Sequence, residues 1–372
     1  MQRRQPQNTR GKRWAVVIAI ILVIILVIFG IGVLRQAGSP NKASAVRLPC
    51  LSSQNVTPFG EYVLYYDGVS IFCITTSGSV RWNYTIGAGA SFSVGPKAVV
   101  AWVGSQVHIL NQDGRSTYND NLGQTVQFAR IGQKYVAAVI GEDTKPRLVI
   151  KDLEGAPVDE EADLFTNRML LDVGFYGEEG QYIWTLSMDV YGTVANTILN
   201  TFEVGQMNTG EIYLGDSLTY RVIYDNQKLR VVTTRQMRTF NYRGVEVADA
   251  TTLVYGWKLV ASEEQKKGDA YMLLAPYAQT TNQYAIQEVR LLTGSTDRRY
   301  TLPSVCVGAA VYNKAVYAFS ADYIYRTDIG AQRFTALNRP SDMEVPTDFL
   351  GMTTGGNALL ASGDAVYAVA MP

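Results

Sequence analysis

The chain has 372 residues, with 33 basic and 33 acidic side chains and a single histidine. That balance excludes the strongly basic surface of a nucleic-acid binder, and one histidine leaves zinc hydrolysis and a histidine-based triad without their parts. Tyrosine is abundant, 23 against 12 Phe and 5 Trp; Tyr and β-branched residues suit half-buried strands, so an all-β fold is expected.

Residues 15–34 read AVVIAIILVIILVIFGIGVL, with no charged or strongly polar side chain. As a helix this stretch is long enough to cross the roughly 30 Å hydrocarbon layer. Arg3, Arg4, Arg10, Lys12 and Arg13 precede it without any acid, whereas only Arg35, Lys42 and Arg47 follow closely. The positive-inside rule therefore predicts a cytoplasmic N-terminus and an extracytoplasmic remainder. The expected layout is a basic tail (1–14), a transmembrane helix (15–34), a polar tether (35–44) and an extracytoplasmic domain (45–372). The rival is a cleaved signal peptide, since Ala43-Ser44-Ala45 has the small-x-small form of a processing site.

Beyond the tether, a strand-like run closed by a glycine turn recurs. It ends at Gly78, Gly114, Gly155, Gly210, Gly244, Gly294 and Gly330, a mean spacing of about 42 residues. Glycine at such a turn supplies the positive φ of a tight hairpin. Two apolar runs precede each copy and a shorter one follows it, so the module is four strands, A-B-C-turn-D. Eight A-B-C sets lie between Gln54 and Pro372. Four antiparallel strands per module is the pattern of a β-propeller. The prediction is eight blades, with seven as the alternative if the irregular 252–300 stretch is an insertion. The last module lacks its D strand, and AVRLPCL (Ala45–Leu51) has no module of its own. It is expected to close the ring and cover the open edge.

The stretches YYDGVSIFCITTSGSVRW and WVGSQVHILNQDG resemble the quinoprotein-like (PQQ-like) branch of β-propellers, in which a G-x-x-x-W step recurs. Gly78 and Trp82 match that step, and no other module repeats the Trp. The layout of basic tail, single anchor and divergent propeller also resembles uncharacterised membrane-anchored β-propeller proteins of clostridial-type Gram-positive bacteria. The first resemblance implies a propeller fold. Its dehydrogenases hold a quinone beside a metal and an adjacent disulfide, and this chain has no neighbouring cysteines. Cys50, Cys73 and Cys306 fall on different modules and are expected to be free buried thiols.

No catalytic residue, cofactor or metal is expected. Asp113-Gly114 resembles the end of a calcium loop, but the D-x-D-x-D-G series is absent. His108 occupies a module position filled elsewhere by Phe72, Val149, Arg238, Glu288, Ile324 and Val366, which points to a strand slot between blades. The predicted function is a non-enzymatic, membrane-anchored binding or scaffold module of the cell envelope, contacting a protein or polymer through one propeller face. The alternative is a carbohydrate-binding or quinoprotein-like enzyme using an axial pocket. Candidate contact residues are Tyr191, Tyr277 and Tyr284 on B–C loops, because Tyr is favoured in interface cores. Arg221, Arg230, Arg235, Arg238 and Arg243 make module five basic and are candidates for electrostatic docking.

Overall fold

In the computed structural model, residues 43–371 are described except 207, 266–267 and 278–284. The predicted tail, transmembrane helix and most of the tether lie outside the described residues, as does Tyr284. Within them no helix is long and apolar enough to cross a membrane.

The described residues wind into seven antiparallel sheets in sequence order, and the fold is an all-β propeller. Sheets one to five have four strands each, running A to D outward: Thr57–Thr85, Ser91–Asn121, Val126–Glu161, Arg168–Gly215 and Thr219–Leu253. The sixth sheet, Trp257–Asn338, has seven strands. In the seventh, Asp348–Met352, Asn357–Ser362 and Ala365–Ala370 are joined by Ala45–Leu51 as the outermost strand. Ala45 pairs with Val369 and Leu51 with Ala365, so the first described strand and the last one hold each other.

The expected eight separate sheets are thus seven, and one strand is the reason. Thr296–Tyr312 is 17 residues long. Its first part pairs with Ile286–Thr293 through Thr296 to Thr301 and again at Cys306, and its second pairs with Ala315–Ser320 from Cys306 onward, so Cys306 has a partner on either side. It is the outer strand of one four-strand unit and the innermost strand of the next, with no turn to break the hydrogen-bonding between them.

Burial explains the sequence pattern. Middle strands are near-continuous apolar runs, such as AVVAWV (Ala98–Val103) and AVYAFS (Ala315–Ser320), because both their faces are covered. Outer strands such as Ser116–Asn121 are mostly exposed and polar. The core is not central but lies between successive layers. Leu64, Ile71 and Cys73 of sheet one meet Val99, Ala101 and Leu110 of sheet two. Leu48 and Cys50 on the closing strand, with Val366 and Ala368, meet Val63, Tyr65 and Ile74. The two halves of sheet six also face each other, with Leu273, Val289, Leu291 and Tyr300 against Val311, Val316, Ala318 and Tyr325.

The glycine turns follow the predicted rule at Gly78, Gly114, Gly155, Gly244 and Gly294, all with positive φ. Two positions differ. Module four turns at Gly205 (φ 81), where Gln206 N–H bonds Glu203 O at 2.9 Å, while Gly210 lies inside the outer strand opposite Thr201. Gly210 is small for another reason: a Cβ there would sit 2.5 Å from Arg243 O of the next sheet. Gly330 is absent from the left-handed region.

Candidate functional face

Hairpin direction decides which loops share a side of the propeller. Strands alternate in direction, so B–C loops and D–A links emerge on one face and A–B and C–D turns on the other. Exposed apolar side chains collect on the first face. Val69, Val190, Tyr191, Val194 and Tyr277 lie on B–C loops, Leu218, Tyr255 and Val345 on D–A links, and Val305 midway along Thr296–Tyr312, where that strand passes from one half of sheet six to the other. The C–D turns of the opposite face expose Tyr242 and, beside them, Val80 and Val245.

A cavity of about 600 Å³ lies on the first face, between the inner strands of sheet six and sheet seven. Leu259, Val260, Val307, Ala309 and Phe349 line its wall, Pro276, Tyr277 and Ile286 its outer side, and Lys258 and Asp348 bring the charges. Two local features shape it. A Cβ at Gly308 would collide with the Phe349 side chain, and Phe349 is itself stacked on Phe319 with ring centroids 5.1 Å apart. Chemically it is a mixed recess, apolar side chains interleaved with backbone polar groups, Lys258 and Asp348, with a tyrosine at one side, suited to receiving an amphipathic side chain.

The predicted contact tyrosines therefore divide clearly. Tyr191 is 64% exposed and Tyr277 43%, both on this face, on B–C loops of different sheets. The predicted arginines do not form one patch, because strand alternation and hairpin reversal send them to different surfaces. Arg221 lines a second cavity of about 340 Å³ that shares Leu259 and Val260 with the first. Arg235 lies on the B–C loop of sheet five, 3.9 Å from Asp216. Arg238 lies on the flank, gripped by both oxygens of Glu246 at 2.9 and 2.6 Å, and this hydrogen bonding holds the Glu246 carboxyl below its usual range. Arg243 is on the opposite face, over the Tyr242 ring. Arg230 is buried: its Nε bonds Asp225 at 2.7 Å and its Nη2 bonds Asp269 at 2.8 Å. It ties sheet five to sheet six and cannot reach a partner.

His108 sits between sheets, its Nδ1 3.0 Å from the Tyr84 hydroxyl of sheet one. Burial pulls its pKa below the ordinary value. Cys50, Cys73 and Cys306 are free and buried, and desolvation pushes the thiols up to about 11, 12 and 12. Thiols so raised are poor nucleophiles at neutral pH.

The sheets are latched to one another at a recurring place, where an outer strand meets the next sheet's C–D turn. Trp82 donates from Nε1 to Gln112 O at 2.9 Å and lies flat under Gly114. Thr117 Oγ1 bonds Leu153 O at 2.6 Å and Asp159 accepts from Gly205 N–H at 3.1 Å; within sheet six, Tyr300 OH bonds Ile329 O at 2.7 Å from one half to the other. Four of the turns, at Gly78, Gly114, Gly155 and Gly244, are themselves tied by the residue three before the glycine: Thr75, Asn111, Asp152 and Asn241 accept backbone N–H bonds across them. In the sequence, a [T/N/D]-x-x-G pattern marks these four turns.

No protein-family model and no curated protein matches the chain. Solved structures do match in fold. BamB from Moraxella catarrhalis, a PQQ-like propeller, superposes with a TM-score of 0.53 at 10% identity, over 90% of this chain and 98% of its own. Sqt1 from Saccharomyces cerevisiae gives 0.55 at 11% identity, over 88% and 99%. AztD from Citrobacter koseri gives 0.51 at 12% identity, over 79% and 88%. At such identities the likeness establishes the β-propeller fold and nothing further.

Proposed function

We propose that this chain is a non-enzymatic binding scaffold, anchored in the membrane by residues 15–34, that holds an envelope protein on its D–A/B–C face. The observation that carries the reading is the gathering of exposed apolar side chains on that face, one of which, Tyr277, lines the cavity between sheets six and seven. Scattered surface leucines and valines are ordinary, whereas apolar and tyrosine side chains concentrated on one face are what protein interfaces use. Loops on a rigid ring hold such groups in place at little cost in ordering.

Two finer points belong to the same proposal. The ring has eight blades, the seven-stranded sheet counting as two. The face-to-face packing of its halves supports this, as does the dual pairing of Thr296–Tyr312. The anchor is read as retained rather than cleaved; the burial of Ala43 in the core and the bond from Ala370 N–H to Ser44 O at 3.0 Å support that reading. Processing after Ala45 would remove both contacts.

The test is recovery of crosslinked partner from isolated envelopes. The double variant Tyr191→Ser/Tyr277→Ser, changing two exposed side chains, is expected to lose at least tenfold of it with an unchanged melting curve. Recovery equal to that of the unaltered chain contradicts the reading.

A further inference from the structure

On the face opposite the apolar one, sheets four and five enclose an open cleft of about 370 Å³ lined by Tyr182, Glu203, Tyr242 and Arg243. Its parts are rigidly placed. Tyr182 and Glu203 are directly opposed on neighbouring strands. Tyr242 and Arg243 lie in the C–D turn of sheet five, where Asn241 Oδ1 accepts from Arg243 N–H at 2.9 Å and from Val245 N–H at 3.0 Å. The buried Tyr176 braces both sides: its ring stacks on Tyr182 at 5.2 Å, and its hydroxyl donates to Tyr242 O at 2.9 Å. The rings of Tyr182 and Tyr242 are 5.8 Å apart and tilted by 46°, and the Arg243 guanidinium lies 5.2 Å over the Tyr242 ring.

We propose that this cleft is a binding site for a neutral saccharide. The two tyrosines offer aromatic surface to the C–H face of a pyranose ring. Arg243 offers donors, Glu203 acceptors, and each phenol can do both. The mixture of charges selects the ligand class. A cationic group would suit Glu203 but meet Arg243, and an anionic group would do the reverse. Hydroxyl groups donate and accept, so a polyol satisfies both without an unpaired charge. Preorganisation by Tyr176 lowers the cost of ordering on binding. The site is independent of the apolar face, so either can fail without the other.

The test is saturation-transfer NMR on the full-length chain with maltose, cellobiose and N,N′-diacetylchitobiose. Inorganic phosphate and trilysine serve as charged counterprobes. At least one disaccharide is expected to bind saturably, with affinity reduced tenfold or more by Tyr242→Ala and by Arg243→Ala, and unchanged by Tyr277→Ala on the other face. Both affected positions are exposed, and Arg243→Ala carries the test if Tyr242→Ala lowers the melting temperature. Saturable binding by phosphate or trilysine alone, no binding of any disaccharide, or binding unaffected by Arg243→Ala would each overturn the proposal.

Discussion

The indole of Trp82, on the outer strand of sheet one, is bonded across the interface to the carbonyl of Gln112 at 2.9 Å, with the peptide of Gly114 lying against its ring. This pair ties the outer strand of sheet one to the C–D turn of sheet two. The G-x-x-x-W step seen in the sequence is therefore half of an inter-sheet contact, and the glycine that receives the Trp belongs to the following module.

Trp82→Ala should destabilise the domain by about 2–3 kcal/mol, chiefly the cost of lost ring packing, since water can replace the bond to the exposed Gln112 carbonyl. Gly114→Ala should do comparable harm from the other side, because Gly114 has φ 75 and its Cβ would sit 2.6 Å from Trp82 Cγ. The double variant should cost less than the sum of the two, as measured by urea unfolding, since both remove one contact. Full additivity would show that the two residues act separately.

Deleting residues 43–51 should open the ring. Leu48 and Cys50 leave the core and the outer edge of Ala365–Ala370 is bared, a loss of about 4 kcal/mol or more with a gain in aggregation. A melting curve matching the intact chain would exclude this strand as the closure.

Arg230→Ala should be among the most damaging substitutions in sheet five, about 3–5 kcal/mol, because it leaves Asp225 buried without its cation. Arg230→Met should cost less when paired with Asp225→Asn than when made alone. Arg243→Ala, at an exposed position, should leave the unfolding midpoint in place. Equal effects of Arg230→Ala and Arg243→Ala would mean that the buried network carries no structural weight.

The pH dependence of His108 has a definite sign. Burial lowers its folded pKa from 6.5, so the unfolded chain takes up the proton first as pH falls. The stability contribution is complete above about pH 6.5 and is lost below it, towards the lowered folded value. His108→Phe should therefore flatten the stability profile between pH 7 and pH 5, measured as urea midpoints. A profile parallel to that of the unaltered chain would show that His108 does not titrate in this range.

The architecture was more legible than the contact chemistry. Glycine turns fall at fixed places along the chain because left-handed φ is a local requirement, so Gly78, Gly114 and Gly155 could be counted directly. Gly210 misled because its smallness answers a tertiary need, the approach of Arg243 O, and not a turn. The continuous strand Thr296–Tyr312 was invisible as a join, since nothing local distinguishes a link that turns from one that stays extended. Tyr191 and Tyr277 could be placed on one face from loop order alone. The arginines of sheet five could not, because burial of Arg230 depends on Asp269, which lies far along the chain in the next sheet. The Tyr182–Tyr242 cleft was missed for the same reason: its halves come from separate sheets.

The most direct measurement of the binding-face proposal is site-specific photo-crosslinking in intact cells. A photoreactive side chain at Tyr277, beside the cavity between sheets six and seven, is compared with one at Lys97, on an A–B turn of the opposite face. The account predicts a discrete crosslinked envelope protein from position 277, repeated from position 191 and absent from position 97. Equal crosslinking from all three positions, or the same protein captured from position 97 alone, would contradict it.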